Sequence, residues 1–397
     1  MNSDQQGEKV FTPSLVVLLG MGAFGVMGGA MVAPGLPSLI EPFGVSDDAV
    51  GLVLSAYTFS AAISLPFIGL LIDRVGRKPV GIACLVLDGI MGIMCAFAPN
   101  FSVLVAFRFI QGMGIAGLIP VAMTVIGDWY EKRKTRLNVM GILSGTISAS
   151  AVIIPLLGGL LAARSWRYPF FAYGFSLVLA LLFYFLIDET KQKNHRNSDR
   201  FKEAVVQHVD SMRDAVAISR VRQTLLHSGV VYFLLYTMVT FMPLFLVTRH
   251  YLDEAVAGVA LSLQAVFSVV LASKAGAVDE YLKWKGKLFL GFFFITAGLF
   301  LIPLWPTHLW VAVSLTLFGV GMGVVQPAIY HEATAAPPQK LTGSVVALFN
   351  TLKYVGMTAA PLILGMLRAQ VSLDGLFYVA AGFGAVWIIF FHTAFGD

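Results

Sequence analysis

The stretch Gly69–Lys78 (Gly-Leu-Leu-Ile-Asp-Arg-Val-Gly-Arg-Lys) decides how the rest of the chain is interpreted. Its one acid and three bases lie between two long apolar segments. Such a density of charge cannot lie in hydrocarbon, so the stretch marks a membrane surface. Gly69 would let the preceding helix approach a neighbour closely, and Gly76 can take the positive φ that a chain reversal needs. The sequence therefore predicts a tight, charged turn between two membrane helices.

Composition indicates that the lipid bilayer is the solvent of this chain. Of its 397 residues, 57% are hydrophobic and only 12% are charged, and the mean hydropathy is +0.81. A soluble domain of this size does not need so much apolar surface, and a membrane-spanning helix takes about 20 apolar residues. We therefore predict an all-α membrane protein with twelve transmembrane helices, near residues 14–34, 49–71, 79–97, 101–126, 137–162, 168–187, 224–247, 255–275, 288–305, 309–330, 342–367 and 374–393.

The basic residues are distributed unevenly between the two sets of loops. Most of the 27 Lys and Arg lie at the N-terminus or in the loops that follow even-numbered spans, such as 74–78, 132–136 and 191–222. Cytoplasmic loops carry this excess, so the pattern predicts a multi-pass protein of the cell membrane with both termini in the cytoplasm. Because of this placement, the net charge of +5 does not indicate nucleic-acid binding.

The charged turn resembles the signature loop between helices 2 and 3 of the major facilitator superfamily. The matching residues are Gly69, Asp73, Arg74, Gly76, Arg77 and Lys78. The resemblance implies the fold of that superfamily, with two six-helix bundles that are parallel repeats of each other. It also implies that Asp73, Arg77 and Asp128 form a charge network that latches the outward-facing state, and that acts by shifting a conformational equilibrium.

Two more stretches resemble motifs of this superfamily. Arg108, Gln111 and Gly112 fit its Arg-x-x-Gln-Gly pattern on helix 4. At the end of span 1, Gly28 is followed five residues later by Pro34-Gly35-Leu36-Pro37, which resembles a motif of the twelve-helix drug:proton antiporters. A proline-broken helix end is the alternative interpretation of the second stretch.

The fifth span resembles an antiporter motif only in part. Pro155, Gly158 and Gly159 match it, and the resemblance implies that they bend the helix at the interface between the halves. Ser150 and Ile154 occupy positions that are usually glycine, so the helix is expected to be stiffer and the antiporter inference is weakened.

The two halves of the chain repeat each other. Landmarks of the first half, Gly112, Gly114, Pro120, Pro155 and Gly159, recur in the same order as Gly319, Gly321, Pro327, Pro361 and Gly365. We therefore divide the chain into a disordered N-terminus (1–13), an N-terminal six-helix bundle (14–187), a cytoplasmic linker (188–222) and a C-terminal six-helix bundle (223–397).

Apolar residues recur at helical spacing in the predicted linker. They are Phe201, Val205, Val209, Met212 and Val216, with charged residues between them. This pattern predicts an amphipathic helix along the cytoplasmic membrane surface. A solvated linker helix is the alternative.

Two charges of opposite sign lie deep in the predicted first bundle. At 1.5 Å per residue, Asp88 lies about 14 Å from the cytoplasmic face and Arg108 about 10 Å from the other face. In a core about 30 Å thick, their heights differ by about one helical turn, so we predict that they pair. The pair is either a proton-coupling site, in which Asp88 binds a proton when Arg108 is drawn away, or a permanent structural salt bridge.

Lys353 is a third buried charge, near the middle of span 11, with Asn350 one turn before it. No acid is available at that depth in the second half. A charge within a membrane span is a functional hypothesis by default. One interpretation is that Lys353 faces the central cavity and binds an anionic substrate. Snorkelling, or a backbone carbonyl partner, is the alternative.

The resemblance also implies a central cavity lined by spans 1, 4, 7 and 10. The candidate substrate-binding residues on these spans are Met27, Met31, Gln111, Tyr232, Tyr236, Phe241 and Gln326. A lining of methionine and aromatic side chains adapts to many substrate shapes. The same residues at helical spacing are equally suited to packing against lipid or a neighbouring helix.

Enzyme motifs are absent from the sequence. The seven histidines lack metal-ligand spacing, and the chain has no Walker loop and no serine in a nucleophile elbow. We therefore predict no catalysis, cofactor or metal. The predicted function is a monomeric, proton-coupled secondary transporter that exports small, mostly hydrophobic compounds by alternating access. Export of an acidic metabolite or metal chelator is the alternative, followed by a non-transporting sensor or scramblase.

Overall fold

The computed structural model describes residues 12–190, 210–304 and 308–394. Within these residues, twelve helices are long and apolar enough to cross a membrane, which confirms the predicted number of spans. Their main helices are α1 (Pro13–Ala30), α2 (Leu52–Val75), α3 (Arg77–Ala96), α4 (Phe101–Trp129), α5 (Arg133–Ala162), α6 (Gly174–Leu186), α7 (Ser219–Leu244), α8 (Glu254–Ala272), α9 (Trp284–Leu301), α10 (His308–Ala335), α11 (Thr342–Arg368) and α12 (Leu373–Ala394). The sixth span also includes the short helix Tyr168–Phe171 that precedes α6.

Several helices extend beyond their predicted ends on the side of the basic loops. Arg133, Ser219 and Trp284 begin α5, α7 and α9 about one turn earlier than predicted, and α2 continues to Val75. Hydropathy detects only the part of a helix that lies in hydrocarbon. A helix satisfies its own backbone hydrogen bonds, so polar residues can continue it into the interface.

The first helix begins slightly before its predicted start. Thr12 caps it, since the Thr12 hydroxyl accepts a hydrogen bond from the backbone N–H of Leu15 at 3.2 Å. Pro13 occupies the first helical position, where its missing N–H costs nothing. The predicted disordered stretch 1–13 is therefore wrong at its last two residues, and residues 1–11 lie outside the described part of the chain.

The helices form two six-helix bundles, α1–α6 and α7–α12, with matching internal packing. In the first bundle α4 packs against α2 and α3, and in the second α10 packs against α8 and α9. A Cβ on Gly112 would strike the Tyr57 carbonyl of α2, and a Cβ on Gly319 would strike the Gln264 carbonyl of α8. The same small residue thus allows the same close helix approach in both repeats.

The two bundles meet along two helix pairs, α5 with α8 and α2 with α11. Ser262 donates a hydrogen bond to the Val152 carbonyl at 2.7 Å, and Thr358 donates to the Thr58 hydroxyl at 2.9 Å. An ion pair of 2.8 Å joins Arg368 to Asp47. These contacts run from the middle of the helices to the ends opposite the basic loops, so the bundles are joined at that end.

The described part of the linker is helical over residues 210–217. Met212 is half-buried in it, and Val216 is exposed, whereas Ala215 is completely buried. The inward face of this turn therefore includes Ala215, which the predicted apolar stripe omitted. Phe201, Val205 and Val209 lie outside the described residues.

Candidate functional site

Asp88 is completely buried in the interior of the first bundle. One carboxylate oxygen accepts a hydrogen bond from the Ser176 hydroxyl of α6 at 2.6 Å. The other accepts from the side-chain amide of Gln111 on α4 at 2.9 Å. A buried carboxylate is costly unless it is hydrogen-bonded, and these two donors reduce that cost.

Arg108 of α4 is also completely buried, and its guanidinium contacts two neighbouring helices. It donates to the backbone carbonyls of Gly28 on α1 at 2.5 Å and Val53 on α2 at 3.2 Å. Its centre lies 4.3 Å from the ring centroid of Tyr57, in cation–π geometry. Two backbone carbonyls of neighbouring helices and one aromatic ring therefore stabilise the charge of Arg108.

The predicted direct pairing of Asp88 with Arg108 is wrong in its geometry. The two described side chains form no direct ion pair, because the amide of Gln111 lies between them. Its Nε2 donates to Asp88, and its Oε1 accepts from Arg108 at 2.8 Å. Gln111 is completely buried and occupied at both ends. It therefore links the two charges, and its place in the cavity lining stays a prediction.

The second repeat identifies the residue that corresponds to Asp88. A Cβ on Gly114 would lie 2.8 Å from the backbone nitrogen of Asp88, and a Cβ on Gly321 would lie 2.7 Å from that of Ile295. Gly114 and Gly321 are already equivalent in the sequence repeat. Ile295 of α9 therefore occupies the position that Asp88 occupies on α3.

The position of Arg108 can be matched in the same way. Arg108 precedes Gly114 by the same number of residues as Leu315 precedes Gly321, and Leu315 is buried. In the second bundle, the positions equivalent to Asp88 and Arg108 are therefore filled by the apolar residues Ile295 and Leu315. This helix packing does not require an acid and an arginine, and apolar residues often fill such positions at lower cost.

Lys353 lies on α11 among tyrosines of the second bundle. Its ammonium is 5.4 Å from the ring centroid of Tyr232 and 5.2 Å from that of Tyr354, and Tyr330 is also close enough to interact with it electrostatically. Among the described residues, no carboxylate forms an ion pair with this ammonium. Asn350 bonds to the Val346 carbonyl of its own helix at 2.9 Å and contributes no charge.

The remaining cavity candidates are mostly packed. Met27, Met31, Tyr232, Tyr236 and Phe241 are buried, and Gln326 is half-buried. The Tyr236 hydroxyl lies against Gly29 of α1, so this tyrosine reaches across to the other bundle. Tyr354, half-buried on α11, packs against the apolar cores of both bundles. These two tyrosines therefore mark where the halves meet near the middle of the membrane helices.

The charged turn adopts the conformation that its glycine allows. Gly76 has φ +118°, which confirms the predicted positive φ, and separates α2 from α3. Arg77 donates to Asp128 at 2.9 Å, and its guanidinium lies 3.7 Å from Asp73. Gly69, in contrast, has open space around the position of a Cβ among the described residues, so the predicted close helix approach there is wrong.

Two residues that the sequence analysis missed complete this network. The Glu189 carboxylate accepts hydrogen bonds from the backbone N–H groups of Arg77 and Lys78, both at 3.0 Å, at the N-terminus of α3. The Thr190 hydroxyl donates to Asp128 at 2.6 Å. An acid followed by threonine just after span 6 was the available signal, because a helix N-terminus favours a carboxylate. Arg74 lies half-buried at the end of α2.

The corresponding loop of the second half retains an ion pair among the described residues. Lys287 pairs with Asp279, and its hydrogen bond, together with its charge, holds the pKa of that carboxyl below its ordinary value. A stronger pair lies nearby, where Arg220 of α7 contacts Glu332 of α10 through two hydrogen bonds of 2.9 Å. At the ends that carry the basic loops, the two bundles are therefore stabilised by different ion pairs.

Four of the five predicted helix-bend residues lie at the interface between the bundles, and Gly158 lies within the first bundle. A Cβ on Gly158 would strike the Met31 carbonyl within the first bundle, and one on Gly159 would lie 2.9 Å from the Cα of Gly258 on α8. Pro155 and Pro361 are inside continuous helices. Gly365 packs against the Asp48 carbonyl, 2.7 Å from the position of a Cβ. Gly159 and Gly365 therefore allow the close approach that joins the halves.

Comparison with known proteins agrees with this architecture of two repeated bundles. The model of the Major Facilitator Superfamily matches residues 18–361, and the chain belongs to this family of membrane transporters. It is therefore a multi-pass membrane protein with the twelve-helix fold of that family.

Its relatives include exporters. The chain is 26% identical to the bacillibactin exporter of Bacillus subtilis (strain 168), over 93% of this chain and 90% of that protein. It is 29% identical to the multidrug resistance protein MdtL of Klebsiella pneumoniae (strain 342), over 74% and 72%. Among solved structures, a bacterial homologue of the human lysosomal transporter Spinster, in an inward-facing and unoccupied conformation, has a TM-score of 0.78 at 19% identity, over 92% of this chain and 84% of that one.

Proposed function

We propose that this protein is a proton-coupled secondary transporter that exports small, mostly hydrophobic compounds, including drugs, by alternating access. Membership of the family and similarity to exporters support export. The observation that carries the proton coupling is the network of Asp88, Gln111 and Arg108, which the second repeat replaces with apolar residues. A charge kept where the fold does not need it indicates a function.

The network offers a route from a proton to the helices. When Asp88 is ionised, Gln111 donates to it and accepts from Arg108, so the three groups hold each other in place. Protonation removes the negative charge that this arrangement stabilises. Arg108 then redistributes its bonds among the carbonyls of α1 and α2. Since α2 packs against α11 of the other bundle, the change acts on the interface between the halves.

We place the protein in the cell membrane with both termini in the cytoplasm, following its basic loops. In this orientation the ion pair of Asp47 with Arg368 lies on the outer side and joins the bundles there. The bundle at 14–187 and the bundle at 223–397 then rock about a site near the middle of the bilayer. Because that site lies between halves of one chain, a monomer suffices.

The methionine and aromatic side chains between the bundles support a broad, mostly apolar substrate range. Met27 on α1, Met31 just after it and Phe241 on α7 are buried. Tyr232 and Tyr236 are also on α7. Such side chains adapt to ligands of different shape. Gln326 and Asn350 are the half-buried polar groups that we assign to this lining.

A second candidate function is export of an acidic metabolite or a metal chelator. Lys353 favours it, because a buried ammonium without a carboxylate partner suits an anionic substrate. The similarity to a bacillibactin exporter supports the same candidate. Both functions use the same alternating access, and they differ in the charge of the compound carried.

Transport by purified protein in proteoliposomes with an imposed pH gradient tests the proposal. Hydrophobic neutral, cationic and anionic compounds should be moved against a concentration gradient only when the pH gradient is present. Movement of anionic compounds alone would favour the second candidate function. Absence of driven movement for every compound, from protein shown to be folded, would favour a sensor or scramblase and contradict the proposal.

We expect Arg77→Ala in the charged turn to slow transport through conformational equilibrium, not through substrate contact. The bond of Arg77 to Asp128 is partly exposed and contributes about 1–2 kcal/mol. When it is formed in only one of the two states, its loss shifts their ratio by about 5- to 30-fold. Substrate affinity should stay unchanged while the transport rate falls. Lys134→Ala, which removes an exposed charge on the same side, is the control. Equal rates in the two variants would remove Arg77 from the latch.

A further inference from the structure

Aromatic side chains surround the ammonium of Lys353. The rings of Tyr232 and Tyr354 both lie within cation–π distance of the ammonium. The hydroxyls of Tyr232 and Tyr330 are 3.4 Å apart, and Tyr330 packs against Phe349 with 4.7 Å between ring centroids. Three helices, α7, α10 and α11, thus contribute flat rings around one positive charge.

Neutral partners cannot cancel the charge of this lysine. Tyrosine hydroxyls and ring faces reduce the cost of burying an ammonium, but they leave its net charge in place. The described acids of the second bundle that form ion pairs are committed elsewhere: Glu332 to Arg220, Asp374 to Arg249 and Asp279 to Lys287. An incoming anion would therefore gain a partner that the protein itself does not supply.

The position of this group fits a ligand that enters between the bundles. Lys353 is half-buried near the middle of α11, and the adjacent Tyr354 packs against the apolar cores of both halves. One turn beyond Tyr232, the hydroxyl of Tyr236 reaches Gly29 of the first bundle. The tyrosines therefore extend from the lysine to the opposite half.

We propose that Lys353 with Tyr232, Tyr330 and Tyr354 forms a subsite for an aromatic compound that carries an anionic group. The anionic group lies on the Lys353 ammonium, and the planar ring packs against the tyrosine faces. An organic cation of the same shape is repelled at this subsite, so among the compounds carried the subsite favours aromatic anions. The inference rests on the proposed transport function only for the route by which the compound enters and leaves.

Equilibrium binding to the purified full-length chain in lipid nanodiscs tests the subsite without requiring transport. The probes are 2-naphthoate, the neutral 2-naphthalenemethanol, the cationic 2-naphthylmethylamine and the non-aromatic octanoate. Naphthoate should bind more tightly than the other three. Lys353→Gln should weaken naphthoate by about tenfold or more and leave naphthalenemethanol unchanged, while Lys353→Arg should retain most of the preference. Lys340→Gln, at a solvent-exposed lysine, is the control.

The ring contacts have a separate readout. Tyr232→Leu should reduce the preference for naphthoate over octanoate, because it removes one aromatic face while keeping the charge. An unchanged ratio of naphthoate to naphthalenemethanol in Lys353→Gln would overturn the subsite, as would octanoate binding equal to naphthoate. If naphthoate binds as expected but no pH gradient drives its movement, the subsite stands and the proposed proton-coupled export fails.

Discussion

Asp88→Asn should abolish the response of transport to a pH gradient while leaving a folded protein. Asparagine has nearly the shape of aspartate and can still accept a hydrogen bond from Ser176, which lies 2.6 Å away. It cannot bind and release a proton in the working pH range. Ordinary coupling free energies of about 1–3 kcal/mol correspond to about 5- to 150-fold, so we expect gradient-driven accumulation to fall by a factor in this range. Accumulation in proteoliposomes with and without a gradient measures it.

The matched control changes a partner of the same carboxylate. Ser176→Ala removes one hydrogen bond to Asp88 but keeps the group that titrates. Its transport should still respond to a pH gradient, with a displaced pH profile. Gradient-driven transport by Asp88→Asn at the level of the unmodified protein would remove Asp88 from the coupling mechanism. The network of Asp88 with Gln111 and Arg108 would then be a structural feature of the first bundle.

Gly159→Leu should abolish transport by preventing the bundles from meeting. A Cβ at this position would lie 2.9 Å from the Cα and 3.0 Å from the backbone nitrogen of Gly258, and it would strike the Glu254 carbonyl. All three are backbone atoms of α8, which cannot move aside as a flexible side chain can. Overpacking of this kind costs about 1–3 kcal/mol even in a core that can adjust. The variant should populate states in which α5 and α8 are separated.

A second glycine on α5 provides the control for this substitution. Gly145 is exposed and has no described heavy atom within 4 Å of the position of a Cβ. Gly145→Leu adds the same side chain to the same helix and should transport normally. Size-exclusion chromatography of both variants separates misfolding from a block of conformational change. Equal transport by the two leucine variants would show that closure at this interface is not needed.

The number and order of the membrane helices could be predicted from sequence, because the bilayer imposes one length and one polarity on each span. The repeat of Gly112 as Gly319 correctly identified equivalent packing in the two bundles. Helix ends were less accurate, because residues such as Arg133 and Trp284 continue a helix outside the hydrocarbon. Hydropathy carries no information about a helix beyond the apolar core.

The sequence could predict how deep the residues of the candidate site lie in the membrane, but not which way their side chains point. Residue counting along α3 and α4 placed Asp88 and Arg108 at similar heights, and the structure brings them into one network. Which side chain stands between them depends on the rotation of α4 about its axis, and a single sequence does not specify it. Gln111 was therefore assigned to the cavity.

Contacts between distant segments were missed for a related reason. Glu189 caps the helix that begins at Arg77, 112 residues earlier in the sequence. Tyr330 approaches Lys353 from another helix. Asp47 and Arg368 lie in short loops or at a helix end, where neither hydropathy nor periodicity selects a partner. Such pairs become visible only when the helices are assembled into the folded chain.

Paired distance measurements across the two ends of the molecule test the central claim that the bundles rock about a buried site. Spin labels at Arg164→Cys and Gln370→Cys report the end where the bundles are joined, and labels at Lys134→Cys and Lys274→Cys report the opposite end; all four positions are exposed. The native Cys84 and Cys95 are buried. When pH is lowered in the presence of substrate, the first distance should lengthen while the second shortens. Two distances that stay fixed, or that change in the same direction, would contradict alternating access by these bundles.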